Sequence, residues 1–101
     1  MPTLTPKEIG SHLKSVPNWT KRAKTIRRTF VFADFINSIE FVNQIARQAQ
    51  GADHHPDIDI RFNKVTLTLS THDEGGLTEK DFSLAQQCDE IFGAFVGSKN
   101  E

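Results

Sequence analysis

Hydrophobic and polar positions change their period several times along the 101 residues, and each change marks an element. Pro6 to about Lys14 reads as a first helix, with Thr5 as N-cap, Pro6 in the first turn and Glu8 at capping-box spacing. Pro17 ends it, and Trp19 follows as a core anchor. Trp19 to Phe32 is β-like and carries two short strands, with Ile26, Phe30 and Phe32 on one face and Arg28 breaking that face. Asp34 is placed to cap a second helix running to about Gln50. Within it Phe35, Ile39, Val42, Ala46 and Ala49 recur at helical spacing, Ile36 and Ile45 widen the stripe, and Gly51 is the expected stop.

The clearest period-two pattern comes next. Ile58, Ile60 and Phe62 alternate with Asp57, Asp59 and Arg61, and Val65, Leu67 and Leu69 alternate with Thr66, Thr68 and Ser70. Asn63-Lys64 is the expected turn, which sets Phe62 opposite Val65, Ile60 opposite Leu67 and Ile58 opposite Leu69. After a turn at Gly75-Gly76, Thr78 and Asp81 have capping-box spacing for a last helix. Leu84, Cys88, Ile91 and Phe95 form its main stripe, with Ala85, Phe92 and Val96 beside it. The pattern predicts an α+β fold of order α-β-β-α-β-β-α: a four-stranded antiparallel sheet with three helices packed on one face.

Composition narrows the function classes. The length suits a single domain over residues 1–101. A net charge of −1 gives no global field toward nucleic acid or anionic membrane. The basic cluster Lys21, Arg22, Lys24, Arg27 and Arg28 lacks interleaved aromatics and reads as a solvated surface. No apolar run approaches the roughly 20 residues of a membrane span, and residues 1–20 lack a signal-peptide pattern. A single cysteine, Cys88, cannot form an internal disulfide, so a reducing cytoplasm is expected, with the nucleus left open. Cys88 lies on an apolar stripe and reads as core rather than as a nucleophile.

Three of the four histidines bracket the hairpin, His54 and His55 before it and His72 after it. Continued outward, the expected register sets His55 opposite His72, where side chains on one face stand about 5 Å apart. His54 and Asp73 would meet on the other face. Asp53, Asp73 and Asp81 lie close by in sequence. Such a group could be polar loop residues closing a sheet end, a metal site, or an acid/base centre. Zinc favours histidine and carboxylate donors, but adjacent histidines seldom both turn inward and no HExxH or cysteine pair is present. Imidazole exchanges protons near neutrality, which favours the acid/base reading.

The stretch from Asp53 to Asp81, DHHPDIDIRFNKVTLTLSTHDEGGLTEKD, resembles the signature of pterin-4a-carbinolamine dehydratases. The shared features are His54-His55-Pro56, Phe62, Ser70-Thr71-His72 and Asp81, with weaker similarity over nearly the whole chain, including Trp19 and Phe30 to Phe35. Two positions depart from the pattern: Gln50 stands where many members carry a charged residue, usually glutamate, and Ile58 where animal members carry tryptophan and many microbial members an aliphatic residue.

The resemblance implies loss of water from a 4a-hydroxytetrahydropterin, without metal or cofactor, after an aromatic amino-acid hydroxylase has released it. It implies His54 and His72 as general acids and His55 as a positioning residue oriented by Asp81. Backbone groups at Ser70 and Thr71 would read the pterin amide edge, with Asp53 and Asp73 setting the charge around the histidines. It also implies a homo-tetramer built as a dimer of dimers, in keeping with the breadth of apolar positions on the last helix from Phe82 to Val96. An alternative role is the one that animal members also perform, as a dimerisation cofactor of a homeodomain transcription factor.

Overall fold

The computed structural model describes residues 2–99. The elements follow the predicted order: α1 (Pro6–Leu13), β1 (Thr20–Arg22), β2 (Thr25–Val31), α2 (Phe35–Ala52), β3 (Asp57–Arg61), β4 (Lys64–Leu69) and α3 (Glu79–Lys99), with a 3₁₀ turn at His72–Glu74. The strands form one antiparallel sheet in the order β1-β2-β4-β3. One face carries Ile26, Phe30, Val65, Leu67 and Leu69, all fully buried against Phe41 and Ile45 of α2 and Phe82, Leu84, Ala85 and Cys88 of α3. Leu4, Ile9 and Leu13 close the same cluster from the α1 side. No described helix is long and apolar enough to cross a membrane.

The local signals read from the sequence are made as bonds. Thr5 and Glu8 form the reciprocal capping box of α1, and Asp34 accepts from the Asn37 N–H at 2.8 Å to start α2. Trp19 is buried, and its indole N–H donates to Asp89 at 2.8 Å. Arg28 does not break the inner face of β2. Its guanidinium lies 4.3 Å from the Phe30 ring centroid and donates to Asp89 at 2.7 Å, so the charge is neutralised and the stem packs. Cys88 is core: burial, with a smaller push from Asp89, raises its thiol to about 12.

Three expectations are corrected. The hairpin register is shifted by two residues: Arg61 pairs with Lys64, Ile60 with Val65 and Ile58 with Leu67, so Phe62-Asn63 is the turn. Asn63 fixes this, because its backbone carbonyl accepts from the Phe32 N–H at 2.8 Å and its amide donates to the Phe32 carbonyl at 2.9 Å. A shift of two keeps every side chain on its face, so the core is unaffected, while Phe62 moves into the turn at φ 54 and is 69% exposed. The buried stripe of α2 is Ser38, Phe41, Ile45 and Ala49, rotated from the expected one, leaving Phe35 and Ile36 exposed. Finally, α2 runs through Gly51 to Ala52, and Asp53 takes the left-handed conformation that closes it. The apolar breadth of α3 is spent inside the chain, since Phe82, Leu84, Ala85, Cys88 and Phe95 are all buried.

Candidate active site

The end of α2 places the first two histidines. Asp53 is left-handed at φ 51, a conformation aspartate tolerates better than most residues. Its N–H bonds to the Gln50 carbonyl, and the next N–H, of His54, reaches the Ala49 carbonyl at 3.1 Å. These are the two bonds of a Schellman closure. The helix end, rather than an extension of the β3–β4 ladder, therefore sets where His54 points. Regular pairing stops at Asp57 and Leu69, so the expected pairing of His55 with His72 is absent.

His54 is 9% exposed, and its Nε2 lies 2.6 Å from Asp81 Oδ1. Asp81 is fully buried, and its other oxygen accepts from the Thr71 hydroxyl at 2.8 Å and the Thr78 N–H at 2.9 Å. Because the Thr71 hydrogen goes to Asp81, the Thr78 hydroxyl is the donor in its 2.8 Å bond to Thr71. Asp81 Oδ2 is thus an acceptor in both bonds, and an ionised Asp81 takes the Nε2–H of His54 on Oδ1, which leaves Nδ1 as the second nitrogen of that ring. Asp81 both opens α3 through Thr78 and holds a histidine. That histidine is His54, which corrects the expectation that Asp81 orients His55.

His55, exposed, instead bonds through Nε2 to the side-chain oxygen of Gln50 at 3.0 Å. His72 opens the 3₁₀ turn and is exposed. This turn is shaped by the bridge between Thr71 and Gly76, with Gly75 left-handed at φ 77. The three segments enclose an open, mostly polar cleft of about 350 Å³, lined by Asp53, His54, His55, Ser70, Thr71, His72, Asp73 and Lys80. All seven residues read from sequence as substrate-facing line it together, with Asp81 behind His54. Lys80 was missed, because a lysine in the first turn of a helix reads as solvated surface. Among the described residues no three His, Cys, Asp or Glu side chains are grouped to hold a metal ion.

The arrangement defines a class: a small α+β protein whose sheet end carries imidazoles with different partners around one polar cleft. Comparison with known proteins gives the family. The profile of the family described as "Pterin 4 alpha carbinolamine dehydratase" matches residues 2–91. Relatives from Chloroflexus aurantiacus and Picosynechococcus are named "Putative pterin-4-alpha-carbinolamine dehydratase". The first is 53% identical over 92% of this chain and 100% of its own length, the second 51% identical over 87% and 96%. A crystal structure described as a "transcriptional coactivator/pterin dehydratase" from Brucella melitensis superposes with a TM-score of 0.85 at 36% identity, covering 88% of this chain and 97% of that one. A pterin dehydratase-like RuBisCO assembly factor of the α-carboxysome shares the fold at a TM-score of 0.63 and 20% identity, over 74% of this chain and 87% of that one. The chain belongs to the pterin-4a-carbinolamine dehydratase family.

Proposed function

We propose that the protein dehydrates a 4a-hydroxytetrahydropterin to the quinonoid dihydropterin, with imidazoles as the proton donors. The observation that carries this is the convergence of His54, His55 and His72 on one polar cleft, together with the buried carboxylate behind His54. Hydroxide is a poor leaving group, so protonating it as the C4a–O bond breaks is the main chemical need. His54 Nδ1 and His72 deliver that proton, one for each face the hydroxyl can occupy on a flat ring. The N5 lone pair forms the new C4a=N5 bond as the protonated hydroxyl departs as water, and the N5 proton then passes to solvent water in the open cleft, from which the imidazole regains the proton it gave. Ser70 and Thr71 read the amide edge of the pterin, Asp53 and Asp73 set the charge at its rim, and His55 positions the ring with Gln50. The substrate is supplied by an aromatic amino-acid hydroxylase. The deciding experiment follows quinonoid dihydropterin formation from a 4a-hydroxytetrahydropterin with chelator present. Turnover well above the spontaneous rate is expected, and a rate equal to the uncatalysed one would sink the proposal.

The assembly belongs to the same proposal. A homo-tetramer, with a dimer as fallback, is supported by the apolar surface that the single chain leaves open at Val31, Phe35, Ile36, Ile58 and Phe62. A light-scattering mass of one chain at micromolar concentration would overturn this.

A further inference from the structure

The residues just ahead of α1 reach the loop that shapes the cleft. Leu4 donates its N–H to the Leu77 carbonyl at 2.9 Å, and its side chain packs on the core cluster that contains the buried Leu77. A Cβ placed on Gly76 would lie 3.4 Å from the Thr3 methyl, so Thr3 stands over the same loop. Gly76 in turn pairs with Thr71, whose N–H its carbonyl accepts at 3.1 Å. Thr71 and Thr78, on either side of these contacts, are the two residues that donate to Asp81 Oδ2.

One peptide group joins the segment before α1 to the buried carboxylate. The carbonyl that accepts from Leu4 belongs to Leu77, and the N–H of that same peptide is the Thr78 N–H, which donates to Asp81 at 2.9 Å. The peptide is planar and trans, so its oxygen and its hydrogen point in opposite directions and turn together. A donor on the oxygen therefore fixes the direction of the hydrogen, and it polarises the N–H into a stronger donor. The line runs from the Leu4 N–H through the Leu77-Thr78 peptide and the Asp81 carboxylate to His54 Nε2. Its three hydrogen bonds measure 2.9, 2.9 and 2.6 Å.

From this line we propose that Leu4 is a positioning residue for His54. Its main-chain N–H, acting through the Leu77-Thr78 peptide, holds Asp81 in the orientation that presents His54 to the cleft. The inference rests on the dehydratase reading. It gives the segment before α1 a part in the proton transfer, although neither Thr3 nor Leu4 lines the cleft. The effect of that segment on the reaction passes through His54.

The test is a double-mutant cycle, which separates action through His54 from action on the fold. Leu4→Pro removes the N–H and keeps apolar carbon at the position. It should lower kcat about tenfold, the scale of one net hydrogen bond, and leave KM within about twofold. In a His54→Ala background the same change should cost less than about twofold, because the residue it positions is gone. An equal cost in both backgrounds would overturn the proposal. The spectroscopic companion is the His54 Nε2 proton, whose exchange with water, followed by NMR, should be about tenfold faster in Leu4→Pro. Ile9→Ala removes packing from the same cluster and no bond to the loop. It should lower the urea midpoint and leave kcat and proton exchange within about twofold. If it reproduces the Leu4→Pro effects, the contribution is general stability and the proposal fails. Should Leu4→Pro fail to fold by circular dichroism, a chain lacking residues 2–4 takes its place in the cycle and is read in the same way. Without wild-type turnover the dehydratase reading is lost, and proton exchange alone decides. Faster exchange then sustains the link from Leu4 to His54, and an unchanged rate in the folded variant overturns it.

Discussion

His54 and His55 are neighbours in the chain with opposite surroundings. His54 is buried, its Nε2 tied at 2.6 Å to a carboxylate that is itself fully buried and bonded to two further donors. His55 is exposed, and its Nε2 meets the neutral amide oxygen of Gln50 at 3.0 Å. The difference teaches how one turn of backbone separates roles. The left-handed Asp53 sends His54 inward to the start of α3 and leaves His55 on the rim. An imidazole whose one nitrogen is held by a buried carboxylate is preorganised to use the other, whereas the rim imidazole can move with the substrate. His72 resembles His55 in exposure, but it stands on the 3₁₀ turn across the cleft.

The strongest way to break the comparison is to remove both proposed acids. Loss of a general acid costs about 10²–10⁴-fold in rate. His54→Ala or His72→Ala alone should fall at or below the low end of that range, because each can cover for the other on one stereoisomer of the 4a-alcohol. The double variant should fall further than either on both stereoisomers. Initial rates on each isomer decide, and a folded double variant working at the wild-type rate would show that neither histidine is the acid.

Asp81→Ala tests the buried half of the contrast through stability as well as rate. It strands the His54 ring nitrogen, the Thr71 hydroxyl and the Thr78 N–H, three donors that the carboxylate now satisfies. The cost should be about 3 kcal/mol in urea unfolding, within the range for partners left unpaired on burial. Asp81→Asn, which preserves the shape, should cost less stability, and its amide group can present a donor where His54 needs an acceptor. It should therefore lower kcat about 10²-fold with KM little changed. A wild-type kcat in Asp81→Asn would show that Asp81 serves the helix start and not the histidine.

These contacts also show what the sequence discloses and what it withholds. The element order follows from signals carried by a few adjacent residues, namely Thr5 with Glu8, Asp34, the alternation from Asp57 to Leu69, and Thr78 with Asp81. The register does not, because Asn63 is fixed by Phe32, a residue just past the end of β2 and distant in sequence. The rotated stripe of α2 has the same origin. The helix carries two overlapping apolar stripes, and the one with Phe41 and Ile45 faces inward because Phe30, Phe32 and Phe92 stand there. Within the site, the residues that share the cleft were legible from their clustering around the hairpin. Which histidine meets Asp81 was not, since it turns on a single left-handed residue.

The smallest expected effect comes from making the rim histidine resemble the buried one. Gln50→Glu replaces an amide oxygen by a carboxylate oxygen in the same place, 3.0 Å from His55. An opposite charge at that distance favours imidazolium, so His55 should stay protonated to higher pH in the variant than in wild type. The carboxylate is exposed, where water weakens such a pair to about 1 kcal/mol or less, and fold stability should hardly change. If His55 positions the ring without transferring the proton, kcat should stay within about twofold, and KM should move about threefold at most, on the scale of that weak pair. Histidine titration by NMR and the pH profile of kcat/KM, taken together, separate the possibilities. A shift in the His55 titration with an unmoved kcat profile supports the positioning role. A kcat profile that follows the His55 titration would make the rim imidazole an acid in its own right, and the distinction between the two neighbours would be one of burial rather than of chemistry.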